Sequence, residues 1–413
     1  MSENISIKKL LEGVEVEWKS INEVFNLRNG YTPSKANKEY WTKGTIPWFR
    51  MEDLRINGGI LNNAVQHVHK SGIKGKLFPA NSIIMATTAT IGEHALITVD
   101  YMSNQQFTNF TIKDEFRELL DIKFVYYYFF ILDKQAKASI NISSFPSVQM
   151  SELKKWLFPI PPLHVQREIV RILDNFTELT AELTAELTAE LSARKKQYSY
   201  YRDRLLTFEE GEVEWKSLGE VAKIQRGASP RPIAKYITDK EDGVPWVKIG
   251  DTSPGSKRVN HTAQKITLEG AKKSRVLNIG DFIISNSMSF GRPYIMGIKG
   301  AIHDGWASIS GFNKTLSSDY LYHYLSSNAV QNYWASKINS GSVSNLNADI
   351  IKTLPIPIPP LAEQERIVAI LDKFDTLTHS ISEGLPREIE MRQKQYAYYR
   401  DLLLNFPRKE VEV

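Results

Sequence analysis

Three groups of polar side chains, each placed by the sequence in a loop, carry hydrogen-bonding chemistry. The first follows the apolar run Ser82 to Met85, at a strand end closed by Gly92, and comprises Thr87, Thr88 and Thr90. The second precedes the tripeptides IPW and VPW and comprises Thr32, Ser34, Lys35, Lys38 and Lys43, and Arg226, Ser229, Arg231 and Lys235. The third is the amide run Asn104, Gln105 and Gln106, a residue type suited to adenine. Such groups can contact base edges, and lysines more often contact phosphates, but an exposed polar loop without a ligand is an equal alternative for each residue.

Catalytic and metal-binding patterns are missing from the sequence. The chain has no cysteine, which excludes disulfides, thiolate metal sites and a cysteine nucleophile. It contains no phosphate-binding GxxxxGK[ST] loop, no dinucleotide-binding glycine fingerprint, no HExxH and no GxSxG motif, and both of its Pro-Pro pairs are followed by leucine rather than by the aromatic residue of a methyltransferase motif. His67 and His69 alternate as in a strand without a third ligand, so no metal site is expected. We therefore expect a chain without a catalytic centre.

The composition is that of a folded protein with two domains. A length of 413 residues exceeds one ordinary core, and a hydrophobic share of 42% with a charged share of 24% is typical of globular proteins. The net charge of +5 fits a polyanionic partner but does not require one. The longest apolar run, Phe124 to Leu132, is too short to cross a bilayer and is expected to be a buried helix rather than a base-stacking platform. With a polar start and no cysteine, this predicts a cytoplasmic protein without a membrane segment.

The chain repeats itself once. EVEWKSINEV around Trp18 returns as EVEWKSLGEV around Trp215, and the copies keep their order. SIIMATTATIG ending at Gly92 matches FIISNSMSFG ending at Gly291. This match adds counterparts to the first polar group, namely Ser285, Asn286, Ser287, Ser289 and Arg292. The two matched loops have similar lengths but different side chains.

Each copy ends in a tail that predicts a long helix. PIPPLHVQREIVRILDNF from Pro159 aligns without a gap to PIPPLAEQERIVAILDKF from Pro357. The prolines end the globular part, and apolar residues then recur at spacings of three and four. The pattern predicts one helix from about Leu163 to Leu206, on the order of 60 Å long. Tyrosines near the tail ends are expected at the helix junctions or against a partner: Tyr198, Tyr200, Tyr201, Tyr396, Tyr398 and Tyr399.

The two tails differ in the middle. Thr180 to Leu191 is three copies of TAEL, made of strong helix formers, whose leucines favour a seam between helices over an isolated surface helix. The second tail carries Gly384, Leu385 and Pro386 at this place. Because proline removes a backbone hydrogen bond, we expect two helical pieces there, from Leu361 to about Glu383 and from about Pro386 to Leu404.

Together these features predict a mixed α/β protein with a pseudo-two-fold internal repeat. Two similar globular domains of mixed sheet and helices occupy residues 1–158 and 209–356. Long helical segments follow each of them, at 159–208 and at 357–413, the second broken near 384–386.

At this point the sequence resembles the specificity subunit of a type I restriction-modification system, over essentially the whole chain. The joint pattern of two variable regions, each followed by PIPPL…Q..IV.ILD and QYxYYRDxLL, carries the resemblance, and the TAEL run fits it. The resemblance implies two target-recognition domains held apart by two antiparallel helices, each reading half of a split double-stranded DNA target. It also implies two docked modification (methyltransferase) subunits that carry S-adenosylmethionine, and restriction subunits joined through that complex. Because one TAEL unit adds about 6 Å of helix and base pairs rise by 3.4 Å, the repeat number could set the unread spacer.

Two other functions remain open on the sequence. One is a helical protein-interaction scaffold that does not bind DNA. The other is a DNA-modifying enzyme with an unrecognised motif, which binding of S-adenosylmethionine to the isolated chain would reveal.

Overall fold

Residues 11–139, 146–253, 256–286, 291–339, 346–379 and 384–407 are described in the structure, a computed structural model. The chain falls into two units, one made of Met1–Glu182 and Gln393–Val413 and the other of Leu183–Arg392. Each unit contains a globular head and parts of both long helical segments. The first head is defined as residues 17–160 and the second as residues 214–358.

The first head alternates short strands with short helices. Its elements in chain order are β1 (Glu17–Ser20), α1 (Ile21–Val24), β2 (Phe25–Asn29), β3 (Ile46–Phe49), α2 (Met51–Asn57), β4 (Ile60–Leu61), β5 (His67–Val68), β6 (Ser82–Ala86), β7 (His94–Ile97), β8 (Met102–Ser103), β9 (Phe107–Ile112), α3 (Ile122–Ala138), α4 (Met150–Leu153) and β10 (Leu157–Ile160). The main sheet has the order β2-β9-β6-β7-β4, a smaller sheet has the order β5-β3-β8, and β1 pairs with β10. Since β4 runs parallel to β7 while the other pairs of the main sheet are antiparallel, the sheet is mixed.

The repeated EVEWKS segment joins the start of the first head to its end. Ser20 caps α1, and the Glu23 carboxylate accepts the Ser20 backbone N–H at 2.7 Å. The strand before this cap pairs antiparallel with the strand of the PIPP segment, with Trp18 opposite Pro159. Proline is tolerated there because a two-stranded ribbon leaves one edge of each strand unpaired. The ribbon brings the first and last strands of the head together just before the long helix begins.

The second head follows the long helix α5 (Leu163–Leu205) and repeats the plan of the first. Its elements are β11 (Glu214–Ser217), α6 (Leu218–Val221), β12 (Lys223–Arg226), β13 (Ile237–Thr238), β14 (Val244–Val247), β15 (Arg258–Val259), β16 (Gln264–Ile266), α7 (Leu268–Lys272), β17 (Arg275–Leu277), β18 (Phe282–Ser285), β19 (Pro293–Met296), β20 (Gly300–Ile302), β21 (Trp306–Ser310), α8 (Ser318–Leu325), α9 (Asn328–Asn339), α10 (Ala348–Lys352) and β22 (Pro355–Ile358). Its main sheet, β12-β21-β18-β19-β15, matches that of the first head strand for strand. Its second sheet is larger, with the order β13-β16-β14-β20-β17, and β11 pairs with β22.

The helical tails agree with the sequence analysis. The predicted helix from Leu163 to Leu206 is confirmed as α5, and the second tail forms two pieces, α11 (Leu361–His379) and α12 (Gly384–Leu403). Gly384 has a φ of +75°, which is accessible to glycine at little cost. The predicted end of the first piece near Glu383 lies outside the described residues.

In each unit the beginning of one helical segment packs against the end of the other. In the first unit Phe176 of α5 lies 5.8 Å from Tyr399 between ring centroids, and the Thr177 and Tyr396 hydroxyls are 2.9 Å apart. In the second unit Tyr201 stacks on Phe374 at 5.6 Å. Because Phe176 and Thr177 meet Tyr399 and Tyr396 in reverse chain order, the paired segments run antiparallel in the first unit. Three leucines of the TAEL run, Leu183, Leu187 and Leu191, are half-buried, whereas Leu179 is exposed.

A glutamine at the same position of each tail fastens the head to its helix. In the first unit the Gln166 amide nitrogen donates to the Pro161 and Leu119 carbonyls, and its oxygen accepts the Asp121 N–H at 2.9 Å. In the second unit Gln364 makes the same three bonds, to Pro359, Thr315 and Ser317. Both side chains are fully buried. The spacing of the PIPPL…Q pattern, which both copies share, thus has a structural reason.

The apolar run from Phe124 is the buried helix that the sequence predicts. It lies in α3, where the tyrosines Tyr126, Tyr127 and Tyr128 are all buried in the core of the first unit. Across the stretches of chain that the structure describes, no helix has both the length and the apolar character needed to cross a membrane.

Candidate nucleic-acid interface

Three loops of the first head meet beside the main sheet. They are the first-strand loop (residues 30–45) after β2, the hairpin loop (87–93) between β6 and β7, and the tripeptide loop (104–106) between β8 and β9. The Gly30 N–H donates to Phe107 O at 3.0 Å, and the Thr87 N–H donates to Gln106 O at 3.0 Å. A Cβ atom at Gly30 would lie 2.2 Å from the Asn104 carbonyl oxygen, so this close approach requires glycine. The backbone therefore holds the three loops together.

The second head holds the equivalent loops with the same backbone bonds. Its first-strand loop is 227–243, its hairpin loop 286–292 and its tripeptide loop 303–305. The Gly227 N–H donates to Trp306 O at 2.8 Å, and the Asn286 N–H donates to Gly305 O at 3.2 Å. A Cβ atom at Gly227 would lie 2.1 Å from the His303 carbonyl oxygen. The two heads thus hold the first-strand, hairpin and tripeptide loops in the same arrangement, which is named the loop frame.

The hairpin loops confirm the predicted strand ends, but they do not expose every predicted side chain. Gly92 closes the first loop with a φ of +93°, as expected. Thr87 is buried and its hydroxyl lies 3.1 Å from that of Thr108, while Thr88 and Thr90 are half-buried. Thr87 therefore has a supporting position rather than one open to a base.

In the second hairpin loop the predicted side chains have three different outcomes. Ser285 is buried at 2% exposure, which gives it a supporting position as well. Asn286 is half-buried, and Arg292 is exposed. The predictions for Ser287 and Ser289 lie outside the described residues.

The amide run of the first head forms a small hydrogen-bonded cluster. Asn104 is almost fully buried and its amide nitrogen donates to the Gln106 side-chain oxygen at 3.0 Å. Gln105 is exposed, and its side-chain oxygen accepts the Thr32 hydroxyl at 2.5 Å. Two of the predicted groups, the amide run and the start of the first-strand loop, therefore meet at Gln105. The buried Asn104 side chain holds the neighbouring Gln106 in place through its hydrogen bonds.

Sequence reasoning missed the corresponding residues of the second head, His303 and Asp304. The Ser229 hydroxyl donates to Asp304 Oδ1 at 2.7 Å, as Thr32 does to Gln105, and the Arg226 Nε donates to the Asp304 carbonyl at 3.1 Å. His303 Nε2 lies 3.1 Å from Asp304 Oδ1. The sequence contains a signal that places His303 at the position of Asn104. The interval from Gly92 to Asn104 equals that from Gly291 to His303, twelve residues in both copies (104 − 92 and 303 − 291).

Electrostatics keep the Asp304 carboxylate charged. The hydrogen bond from Ser229 is the main cause that lowers the pKa of Asp304; burial opposes it, and the smaller effects of His303 and Arg226 lower the pKa further. The Gly305 N–H donates to His303 Nδ1 at 3.0 Å, so the proton of a neutral His303 ring resides on Nε2, facing the carboxylate. This carboxylate is an acceptor held in a defined orientation.

The remaining polar residues of the second group lie farther along the first-strand loops. Ser34, Lys35, Lys38 and Lys43 are exposed, and Lys38 begins a 3₁₀ helix at Lys38–Trp41. Arg231 and Lys235 are exposed in the second head, where Lys235 ends the 3₁₀ helix Ile233–Lys235. The charged groups of the lysines and Arg231 are therefore open to solvent, as phosphate contacts require.

The two histidines at strand spacing make local hydrogen bonds instead of a ligand set. His67 Nε2 lies 2.7 Å from Asn63 Oδ1, and His69 Nδ1 lies 2.8 Å from the Ser71 hydroxyl. Within the described ranges no cluster of three or more His, Asp or Glu residues could hold a metal ion.

Comparisons with known proteins agree with this two-headed plan. The family model described as "Type I restriction modification DNA specificity domain" matches residues 13–193 and again 210–391. The chain is 42% identical over 400 residues to the type I restriction enzyme EcoprrI specificity subunit of Escherichia coli, covering 93% of each protein. It is 35% identical over 432 residues to the EcoR124I/EcoR124II specificity subunit of Escherichia coli, covering 99% of each.

Solved structures share the fold. The chain matches a structure described as "Structural basis underlying complex assembly and conformational transition of the type I R-M system" with a TM-score of 0.71 and 18% identity, over 96% of this chain and 98% of that one. It matches the HsdS subunit from Thermoanaerobacter tengcongensis with a TM-score of 0.52 and 18% identity, over 94% and 95% of the two chains.

Proposed function

Because the chain belongs to the family of type I restriction-modification specificity subunits, we propose that it is the DNA-reading subunit of such a complex. Each head, proposed as domains 1–158 and 209–356, contacts one half of an asymmetric split target in duplex DNA. The long helices separate the two half-sites by a fixed spacer.

One observation carries this proposal: two copies of one loop frame carry different side chains. The backbone bonds of Gly30 and Gly227 are equivalent, yet Gln105 of one head is replaced by Asp304 in the other. A scaffold that binds two copies of one protein would favour the same side chains at both sites. Different hydrogen-bonding groups on a shared frame suit a target whose two halves differ in sequence.

The exposed and half-buried residues of the loops divide into two proposed roles. The proposed base readers lie on the loop frame: Thr32, Thr88, Thr90, Gln105 and Gln106 in the first head, and Arg226, Ser229, Asn286 and Arg292 in the second. The exposed lysines and Arg231 of the first-strand loops are the proposed phosphate contacts, because cationic side chains that are open to solvent can reach phosphate oxygens without entering a groove.

The proposed partners and location follow from the family and from what the chain lacks. We propose that two modification subunits dock on the helical segments, carry S-adenosylmethionine and perform the methylation, and that restriction subunits join through them. The chain itself is then non-catalytic, which the missing catalytic motifs support. A reducing cytoplasm suits its lack of cysteine.

The test uses the complex with its modification subunits. Its affinity for duplex DNA should fall steeply with salt, and methylation should map to one split sequence in the DNA of a host that expresses the system. A DNA affinity that does not change with salt concentration, or methylation at sites without a common sequence, would overturn the proposal. Binding of S-adenosylmethionine by the isolated chain would indicate an enzyme instead.

A further inference from the structure

The tripeptide loop of the second head has a chemistry that the first head lacks. Its central residue is Asp304, at the position that Gln105 occupies in the first head, and both accept a hydroxyl from the first-strand loop, Ser229 or Thr32. A glutamine amide offers both donor and acceptor atoms, whereas a carboxylate offers acceptors alone. From this difference, and resting on the proposed function, we propose that Asp304 reads the amino group of a cytosine in the second half-site.

The carboxylate is built as a rigid acceptor. Ser229 and His303 both contact Oδ1, at 2.7 and 3.1 Å. Ser229 Oγ also accepts the Asp304 backbone N–H at 3.3 Å, which closes a small ring of bonds around the residue. These contacts fix the side chain, while 31% of it stays exposed. A fixed and partly exposed acceptor suits recognition, since little rotamer freedom is lost on binding.

Only one base edge matches such an acceptor. Thymine and guanine present acceptors in the major groove, which repel a carboxylate, and adenine places the N7 acceptor next to its amino group. Cytosine presents its N4 amino group without a neighbouring acceptor. A carboxylate near DNA also repels phosphates, so its presence on the loop frame weakens binding unless a donor on a base compensates for it.

The first head offers the contrast. Gln105 presents an amide, which matches the paired acceptor and donor of adenine. The two tripeptide loops therefore occupy equivalent places and select different bases. His303 acts as a positioning residue in this scheme, because its ring contacts the carboxylate rather than the base.

The decisive experiment maps methylated sequences for the full complex carrying Asp304→Asn. We expect one position of the second half-site to lose its preference for cytosine by about tenfold or more, and the first half-site to stay unchanged. Asp349→Asn is the matched control, because Asp349 is exposed in α10 of the same head, outside the three loops, and its change removes the same charge. This control should keep both half-sites as they are.

A second variant keeps the test decisive if Asp304→Asn prevents folding. Gln105→Glu in the first head should shift one position of the first half-site from adenine to cytosine. An unchanged second half-site in a folded Asp304→Asn complex, or uniformly tighter binding to all sequences, would overturn the inference. An unchanged first half-site in Gln105→Glu would do the same.

Failure of the inference can be told apart from failure of the proposed function. If the unmodified complex methylates a defined split sequence while either folded variant leaves its half-site unchanged, only the inference is wrong. If the unmodified complex shows no sequence preference, the proposed function itself is wrong.

Discussion

Replacing the buried Gln364 by methionine tests whether one side chain fastens the second head to its helix. Methionine is also unbranched and of similar volume, so Gln364→Met preserves packing and removes only the polar bonds. Those bonds join the amide to the Thr315 and Pro359 carbonyls at 2.8 and 2.9 Å and to the Ser317 N–H at 2.8 Å.

The expected cost follows from the three bonds that are lost. A net contribution of about 1 kcal/mol for each hydrogen bond gives roughly 3 kcal/mol, because the backbone groups remain partly buried without a partner. About 3 kcal/mol corresponds to roughly 150-fold faster opening of the junction. Helix α8 and the start of α11 should show this change, since both lie directly at the lost bonds.

Hydrogen exchange measured by mass spectrometry separates the two units. In Gln364→Met, peptides around Ser317 should exchange about 150-fold faster, while peptides around Asp121 in the first unit should not change. Gln166→Met should give the mirror result. The control Gln393→Met alters an exposed glutamine and should have no effect. An increase of less than about fivefold at Ser317, or an equal increase in both units, would refute the reasoning.

Three further predictions address the helices, the pH dependence and the phosphate contacts. Deleting one TAEL unit, Thr188 to Leu191, should shorten the preferred spacer without changing either half-site, and unchanged spacing on a panel of spacer variants would contradict this. Burial raises the pKa of Asp372, but hydrogen bonds from His323 and Lys257 outweigh it and bring the pKa to about 2. Because the pKa of Asp372 is lower in the folded state, this carboxylate stabilises the second unit above about pH 4 and loses that contribution as the pH falls toward 2. The pH dependence of the free energy of unfolding should therefore be smaller in Asp372→Asn, as unfolding measured over this pH range would show. Lys38→Ala should weaken DNA binding uniformly across sequences and reduce the slope of log affinity against log salt by about 1, whereas a loss confined to one sequence would indicate base contact.

The long helices and the duplication could be predicted because their signals are local. The duplication is visible because the two PIPPL segments match without a gap. The helices are indicated by the spacing of Ile169, Val170 and Leu173 and by the proline near Gly384, and each of these signals lies within a few turns of chain. Helix propensity and proline geometry are properties of short segments, so α5 and the two pieces of the second tail followed from the sequence. The exposed lysines of the first-strand loops followed in the same way.

Only the tertiary structure decided which polar residues lie on the loop frame. Thr87, Asn104 and Ser285 are polar like the residues beside them in the sequence, but tertiary packing buries them. The pairing of Ser229 with Asp304 joins residues 75 positions apart, and no local pattern encodes such a contact. Burial and long-range hydrogen bonds arise when distant strands meet in a sheet, and for that reason the sequence located the loops while the fold selected the side chains within them.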